Sequence, residues 1–99
     1  MKEYIQKTIK LENGDRVILY DSDKIKGKIP VFEFNRNVIK VDKNDVILWR
    51  IKVPGKDDWE APFLKIKLRQ GKLIAYHWAG GEFEVNLEDG SIKLIQEHR

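Results

Sequence analysis

The sequence contains no cysteine, only three prolines and no long apolar run. Without cysteine the chain cannot form disulfide bonds, thiolate metal sites or a cysteine nucleophile. No stretch approaches the roughly 18 apolar residues that a membrane-spanning helix needs. The first residues also lack the apolar run that is typical of a signal peptide. We therefore expect a soluble, cytoplasmic protein without a membrane-spanning segment.

Short catalytic and metal-binding motifs are absent as well. The sequence has no phosphate-binding loop, nucleophile elbow or zinc signature, and it has only two histidines. The acidic residues Asp57, Asp58 and Glu60 lack the glycine and the regular alternation of a calcium-binding loop. The sequence thus favours a non-enzymatic protein with no cofactor and no bound metal.

The 99 residues carry 19 basic and 16 acidic side chains, which gives a formal net charge of +3. This length is ordinary for one domain with its own core, and no segment resembles a linker, so we expect a single domain over residues 1–99. The small positive charge slightly favours anionic partners, although it is also ordinary for the surface of a soluble domain.

Apolar and polar residues alternate through the last third of the chain, residues 63–96. The alternating apolar positions are Leu64, Ile66 and Leu68, then Ile74, Tyr76 and Trp78, then Phe83, Val85 and Leu87, and finally Ile92 and Leu94. A period of two is typical of β-strands with one buried and one exposed face. Three turn signals separate the runs, Gln70-Gly71, Gly80-Gly81 and Asp89-Gly90. The pattern predicts a four-stranded antiparallel meander.

The second and third turns predict which residues face each other. A two-residue second turn places Trp78 opposite Phe83, and a type I′ third turn places Leu87 opposite Ile92. A slip of one residue would move a strand's apolar set to the other face. Both turns therefore agree on one apolar face.

The first turn allows two registers. A two-residue loop would pair Lys67 with Ile74, so we favour a three-residue loop, residues 69–71, which pairs Ile66 with Ile74. In this register the residues predicted to face the core from the second meander strand are Ile74, Tyr76 and Trp78. The residues predicted to face solvent from the same strand are Leu73, Ala75 and His77.

The first half of the chain predicts two further hairpins. Their strands are residues 4–11 and 16–21 around Asn13-Gly14, and residues 36–42 and 46–53 around Lys43-Asn44. Residues 22–33 read as a loop that folds over an open end of the core, and residues 54–62 form a second long connection. We predict an all-β fold of seven or eight antiparallel strands, closed into a sandwich or small barrel.

Part of the chain also resembles known families. The hairpins at residues 37–50 and 83–94 are similar to the outer hairpin of quinoprotein-type propeller blades. The segments Asn37 to Asp42, Trp49 to Ile51, Gly71 to Tyr76 and Gly81 to Gly90 resemble those of small bacterial proteins of unknown function. The resemblance implies a compact all-β domain and no established activity. Ala79 departs from the pattern, where an acidic residue is expected.

A basic stripe is the first candidate binding feature. Lys65, Lys67 and Arg69 alternate onto one face of the first meander strand. A basic stripe with aromatic residues nearby can bind nucleic acid, and the lysine-rich residues 24–28 would extend it. In the predicted register, however, the aromatic residues face the core and acidic residues lie close by. Complementary charges on a soluble sheet explain the same stripe.

A histidine and a carboxylate form the second candidate. The predicted second turn places Glu84 opposite His77 on the exposed face, where the carboxylate could orient the imidazole for proton transfer or metal binding. A cross-strand polar pair on a solvated sheet explains the same pattern. A two-histidine metal site would also need His98, in the C-terminal tail, to fold onto the sheet.

Two apolar features suggest an interface. Leu73 and Ala75 form an apolar strip on the predicted exposed face, which residues 25–34 or a second subunit would cover. Trp59 lies in the second long connection, where an aromatic residue either anchors a ligand or partner or plugs the end of the core.

The sequence therefore favours a non-enzymatic binding or protein-interaction module of unknown function. We expect a protein partner, either another protein or a second copy in a homodimer. The alternative is a nucleic-acid-binding domain that uses the lysine-rich first loop and the Lys65, Lys67 and Arg69 strand.

Overall fold

The computed structural model describes residues 2–53 and 61–97. Its strands form two four-stranded antiparallel sheets, each in chain order. The N-terminal sheet contains β1 (Ile5–Lys10), β2 (Arg16–Tyr20), β3 (Val38–Val41) and β4 (Ile47–Arg50), and the C-terminal sheet contains β5 (Phe63–Arg69), β6 (Lys72–His77), β7 (Gly81–Val85) and β8 (Ile92–Glu97). The all-β class, the hairpins and the C-terminal meander are confirmed. No ladder joins the two sheets in this part of the chain, so closure into a sandwich or small barrel stays a prediction.

The sequence analysis predicted a loop for the first long connection. The structure instead shows two short helices in it. Helix α1 (Ser22–Ile25) begins after Asp21, whose side chain accepts a hydrogen bond of 2.9 Å from the Asp23 N–H and so caps the helix. Helix α2 (Val31–Phe34) follows Pro30. Each helix is a single turn, too short for its apolar spacing to be recognised in the sequence. Ile25 of α1 is fully buried.

A short 3₁₀ helix, Lys2–Tyr4, precedes β1. Within residues 2–53 and 61–97, no helix has the length and apolar character needed to span a membrane. The cytoplasmic location stays a prediction.

The two sheets share one apolar core. The N-terminal sheet and the segment after it contribute Ile9, Val17, Leu19, Val38, Trp49 and Ile51, and the C-terminal sheet contributes Phe63, Ile66, Leu73, Ala75, Phe83 and Val85. Burial of a large aliphatic or aromatic side chain stabilises a fold by about 1.5–3 kcal/mol. The shared core is therefore the main attraction between the sheets.

A buried amide also joins the sheets. Asn37, immediately before β3, is fully buried. Its Nδ2 donates to the carbonyl oxygens of Tyr20, at 2.9 Å, and of Phe63, at 2.8 Å. Its Oδ1 accepts from the Phe63 N–H at 2.8 Å. One side chain thus holds β2 of the N-terminal sheet against β5 of the C-terminal sheet, with donors and acceptor all satisfied.

The first meander turn differs from the favoured prediction. Arg69 pairs with Lys72, which leaves the two-residue loop Gln70-Gly71, and both loop residues have positive φ, 52° and 78°. This is the geometry of a type I′ turn. Lys67 consequently pairs with Ile74, the register that the sequence analysis rejected.

The second and third turns, in contrast, are longer than predicted. Tyr76 pairs with Glu82, so five residues connect the two partners, and Trp78 does not face Phe83. Gly80 has a φ of 101° and donates its N–H to the carbonyl of His77. The third turn is not type I′, since only its Gly90 has positive φ, and Val85 rather than Leu87 pairs with Ile92.

These shifts invert β6 relative to the prediction. Leu73 and Ala75 belong to the shared core and His77 contacts it, while Ile74 and Tyr76 lie on the outer face. The shift at the third turn is an even number of residues, so Phe83 and Val85 still face the core as predicted.

The outer face of the N-terminal sheet is largely apolar. Ile18, Ile39 and Val41 form a second buried cluster there, with Ile5 and Tyr20 packed against it. Burial raises the pKa of Tyr20 above its usual value of 10.0. At the rim, Arg16 forms an ion pair with the exposed Asp45, and its hydrogen bond lowers the pKa of that carboxyl.

Candidate binding surface on the C-terminal sheet

The outer face of the C-terminal sheet gathers charged and aromatic side chains. We name it the basic face and define it by Lys65, Lys67 and Arg69 of β5, Lys72, Ile74 and Tyr76 of β6, Glu82 and Glu84 of β7, Lys93 of β8, and Trp78 after β6. Five of these residues are cationic and two are anionic. The predicted basic stripe is thus on the outer face, with more cations around it than β5 alone supplies.

Two lysines flank Tyr76. The Nζ atoms of Lys65 and Lys67 lie 5.5 and 5.4 Å from the centroid of its ring, within the range of cation–π attraction. Both lysines lie on β5 beside the strand that carries Tyr76, so the register determines this arrangement. Neither forms an ion pair with any residue of the described ranges. Their ammonium groups are therefore held at one place on the sheet without an ion pair, although Glu82 of β7 pairs with Tyr76 on the other side of β6.

The other cations of β5 and β6 have carboxylate neighbours. Arg69 Nη2 lies 3.4 Å from Glu82 Oε2, and Lys72 Nζ lies 3.8 Å from Glu84 Oε1. The first pair joins β5 to β7 on the two sides of β6, and Ile74 of β6 is only 1% exposed. The basic face thus has a positive end at Lys65 and Lys67 and a more neutral end at Arg69 and Lys72.

Trp78 directly follows β6, two residues after Tyr76, and is 66% exposed. Its backbone is fixed, because its N–H donates to the Pro62 carbonyl at 3.0 Å. Trp78 also lines a cleft of about 300 Å³ together with Phe34, Pro62 and Lys26. An indole in this position offers a large exposed ring on an ordered turn.

The lysines of the first connection extend the basic face only in part. Lys26 lines the cleft beside Trp78. Lys28 instead lies against Tyr4, with its Nζ 4.9 Å from the ring centroid. Two further clefts, of about 330 and 450 Å³, lie at the neutral end and share Lys72, Glu84 and Lys93.

The predicted pairing of His77 with Glu84 is wrong. His77 pairs with Phe63, and Glu84 pairs with Ile74 on the opposite face of the sheet. The imidazole is 3% exposed, its ring centroid lies 5.0 Å from that of Phe63, and its Nδ1 accepts a hydrogen bond from the Ala79 N–H at 3.2 Å. His77 therefore packs in the interior, where it also supports the turn that carries Trp78.

The predicted apolar strip is not exposed either. Leu73 and Ala75 are fully buried in the core that the two sheets share. Neither residues 25–34 nor a second subunit is needed to cover them, because the N-terminal sheet does so. Trp59 and His98 lie outside the described residues, and the predictions on them stay predictions.

Sequence reasoning missed the two aromatic residues of the basic face. Tyr76 and Trp78 were assigned to the core, since they alternate with polar residues as core residues do. The signal that could have corrected this is the apolar pair Leu73 and Ala75, which occupies the opposite face of the same strand. A strand with apolar residues on both faces fits either orientation.

Metal chemistry has no support in the described ranges. No group of three or more histidine, aspartate or glutamate side chains is close enough there to hold a metal ion. The prediction of a protein without cofactor or metal stays untested.

The architecture is all-β, with two four-stranded antiparallel sheets that share an apolar core and with charged and aromatic residues on the outer face of one of them. A family model described as Domain of unknown function (DUF7957) matches residues 1–96, so the chain belongs to that family. No curated protein and no solved structure matches the chain. The resemblance to small proteins of unknown function is confirmed at the level of the domain, and the likeness to propeller hairpins stays a prediction.

Proposed function

We propose that the protein is a non-enzymatic binding module that uses its basic face to hold an extended anionic polymer. The observation that carries the proposal is the cluster of Lys65, Lys67 and Tyr76, with Trp78 following on the same strand end. Clustered cations attract anions over a Debye length, about 8–10 Å at moderate ionic strength.

The distribution of charge favours an extended ligand over a compact one. Cations occur on β5, β6 and β8, so they cover the width of the sheet instead of meeting at one point. The carboxylates of Glu82 and Glu84 neutralise the end that carries Arg69 and Lys72. A polymer would therefore have its strongest contacts with Lys65 and Lys67 and weaker ones farther along.

Heparin chromatography with a salt gradient tests the proposal. The double substitution Lys65→Gln with Lys67→Gln should elute at clearly lower salt than the unmodified protein. Each contact between a lysine and a phosphate or sulfate group releases counterions, so a variant that makes fewer such contacts is retained less strongly. The matched control is Lys10→Gln with Lys43→Gln, two exposed lysines of the N-terminal half. Both double variants have the same net charge.

Equal elution of the two double variants would contradict the proposal. Retention would then follow net charge and not the basic face. Circular dichroism and thermal melts of both variants show that each is folded before the elution volumes are compared.

A protein partner, which the sequence favoured, is the second candidate. Val46, Ile47 and Leu48 at β4, an edge strand of the N-terminal sheet, are 55, 54 and 48% exposed. Exposed apolar residues on an edge strand favour contact with another chain. Sedimentation of the unmodified protein and of Ile47→Lys over a range of concentrations tests self-association. If both proteins are monomers at all concentrations, the prediction of a homodimer is wrong.

A further inference from the structure

We propose that the anionic polymer is single-stranded nucleic acid and that one of its bases stacks on the Trp78 indole. This inference rests on the proposed function, because it assigns the ligand of the basic face. It adds a requirement that charge alone does not impose, namely a planar ring in the ligand.

The exposure of Trp78 is the first observation. Tryptophan is usually well buried, yet this side chain is 66% exposed, two residues after the tyrosine that Lys65 and Lys67 flank. Exposed aromatic rings next to cations are the common platform for single strands, whose bases stack on the ring while their phosphates contact the cations. A sulfated sugar polymer would contact the lysines but has no aromatic ring to stack on the indole.

The fixed position of Trp78 is the second observation. The backbone N–H of Trp78 donates a hydrogen bond to the carbonyl of Pro62. The backbone N–H of Gly80 donates to the carbonyl of His77 and so closes the turn. His77 itself is buried against Phe63. The backbone that carries the indole is thus held in an ordered turn, so no backbone entropy of this turn has to be lost when a base stacks on the ring.

The surroundings of Trp78 supply groups for the backbone of the same strand. Tyr76 lies two residues away with the ammonium groups of Lys65 and Lys67 beside its ring. The cleft that Trp78 lines contains one cation, Lys26, and one anion, Asp23. The phosphates next to a base on the indole would therefore find their main cations at Lys65 and Lys67.

A duplex fits this surface less well than a single strand. Its bases are already stacked on each other, so none can lie on the indole without being unpaired. The outer face of a sheet also offers no helix or protruding ribbon that could enter a groove. A single strand has bases that are free to stack on the indole, and its binding does not require an element that enters a groove.

Fluorescence anisotropy with labelled 15-residue oligomers tests the inference. The probes are oligo-dT, oligo-U, an abasic phosphodiester of the same length, and a 15-base-pair duplex. We expect oligo-dT or oligo-U to bind more tightly than the abasic polymer and the duplex. Trp78→Ala should weaken that binding about 5- to 150-fold, the effect of losing one base–aromatic stack.

Two further variants give the controls. Phe32→Ala removes an aromatic side chain of similar exposure, 62%, on helix α2, and it should leave the affinity unchanged. Trp78→Phe should retain part of the affinity, since a smaller ring still stacks. Lys65→Gln with Lys67→Gln should weaken binding of oligo-dT and of the abasic polymer alike, and should reduce the slope of log K against log salt by about 1.4 for a single strand.

The outcomes separate this inference from the proposed function. If the abasic polymer binds as tightly as oligo-dT, or if Trp78→Ala leaves the affinity for oligo-dT unchanged, the inference is wrong while a heparin result that depends on Lys65 and Lys67 still supports the anionic polymer. Equal binding of the duplex would also overturn it. If heparin and every oligomer fail to bind, both proposals are wrong.

Discussion

The two sheets bury one face each in the same core but cover their outer faces in different ways. On the N-terminal sheet, Ile18, Ile39 and Val41 are 3–6% exposed and pack against each other. On the C-terminal sheet, Ile74 is the buried aliphatic residue of the outer face, and charged or aromatic side chains surround it. The first outer face resembles a second small core, and the second is a polar surface with exposed rings.

This difference indicates a division of roles between the sheets. A buried aliphatic side chain contributes about 1.5–3 kcal/mol to stability, whereas an exposed ion pair contributes about 0–1 kcal/mol. The outer face of the N-terminal sheet therefore stabilises the fold. The basic face contributes less to stability, so a ligand bound there would leave intact most of the interactions that keep the chain folded.

The largest expected effect compares the two outer faces directly. Ile39→Ala should lower the free energy of unfolding by about 2–5 kcal/mol, because it leaves a cavity in the second cluster. Lys67→Ala, on the corresponding face of the other sheet, should change it by no more than about 0.5 kcal/mol. Urea denaturation of both variants measures the difference. A loss for Lys67→Ala as large as that for Ile39→Ala would show that the basic face is structural.

An intermediate effect is expected at the contact between the sheets. Gly90 and Gly71 both have a φ of 78°, so an alanine at either position carries the same backbone strain, about 1–2 kcal/mol. A Cβ at Gly90 would also lie 2.7 Å from Trp49 Cε3, while a Cβ at Gly71 meets nothing within 4 Å. Gly90→Ala should therefore cost about 1–3 kcal/mol more than Gly71→Ala. Equal melting temperatures for the two variants would mean that the Gly90 turn does not pack on Trp49.

The smallest effect concerns the pH dependence of the N-terminal sheet. Because burial raises the pKa of Tyr20 in the folded state, its contribution to stability is complete below the unfolded value of 10.0 and is lost as the pH rises through the folded pKa. Above pH 10, the stability of Tyr20→Phe should therefore fall less steeply with pH than that of the unmodified protein. Thermal melts between pH 8 and 11 measure this, and identical pH profiles would contradict the burial of the phenol.

The sequence predicted the strands well and the orientation of one strand badly. Phe83 and Val85 face the core as expected, because polar residues separate them and only one orientation buries them. In β6, Leu73 and Ile74 are adjacent and both are buried, on opposite faces. For such a strand the alternation of apolar residues does not determine which face is buried, so the prediction depended on the length of the turn.

The turn was misjudged for a physical reason that concerns lysine. A register that places Lys67 opposite Ile74 seemed to pair a charge with an apolar residue. A lysine side chain can lie along an apolar surface and still carry its ammonium group to a favourable place, here beside Tyr76. The same error concealed the candidate surface, since it assigned Tyr76 and Trp78 to the core and His77 to solvent. The basic stripe of β5 was predicted correctly, because its three cations alternate on an otherwise apolar strand.

The buried amide of Asn37 has a consequence for the whole molecule. One of its hydrogen bonds stays within the N-terminal sheet, at Tyr20, and two reach Phe63 of the C-terminal sheet, so a slip of one sheet past the other by a single residue, about 3.3 Å, would break both bonds to Phe63 together. Partial unfolding of either sheet would leave polar groups of the other without partners in an apolar interior. The two sheets should therefore be lost in one cooperative step. The turn that carries Trp78 should therefore unfold together with the strands of the N-terminal sheet.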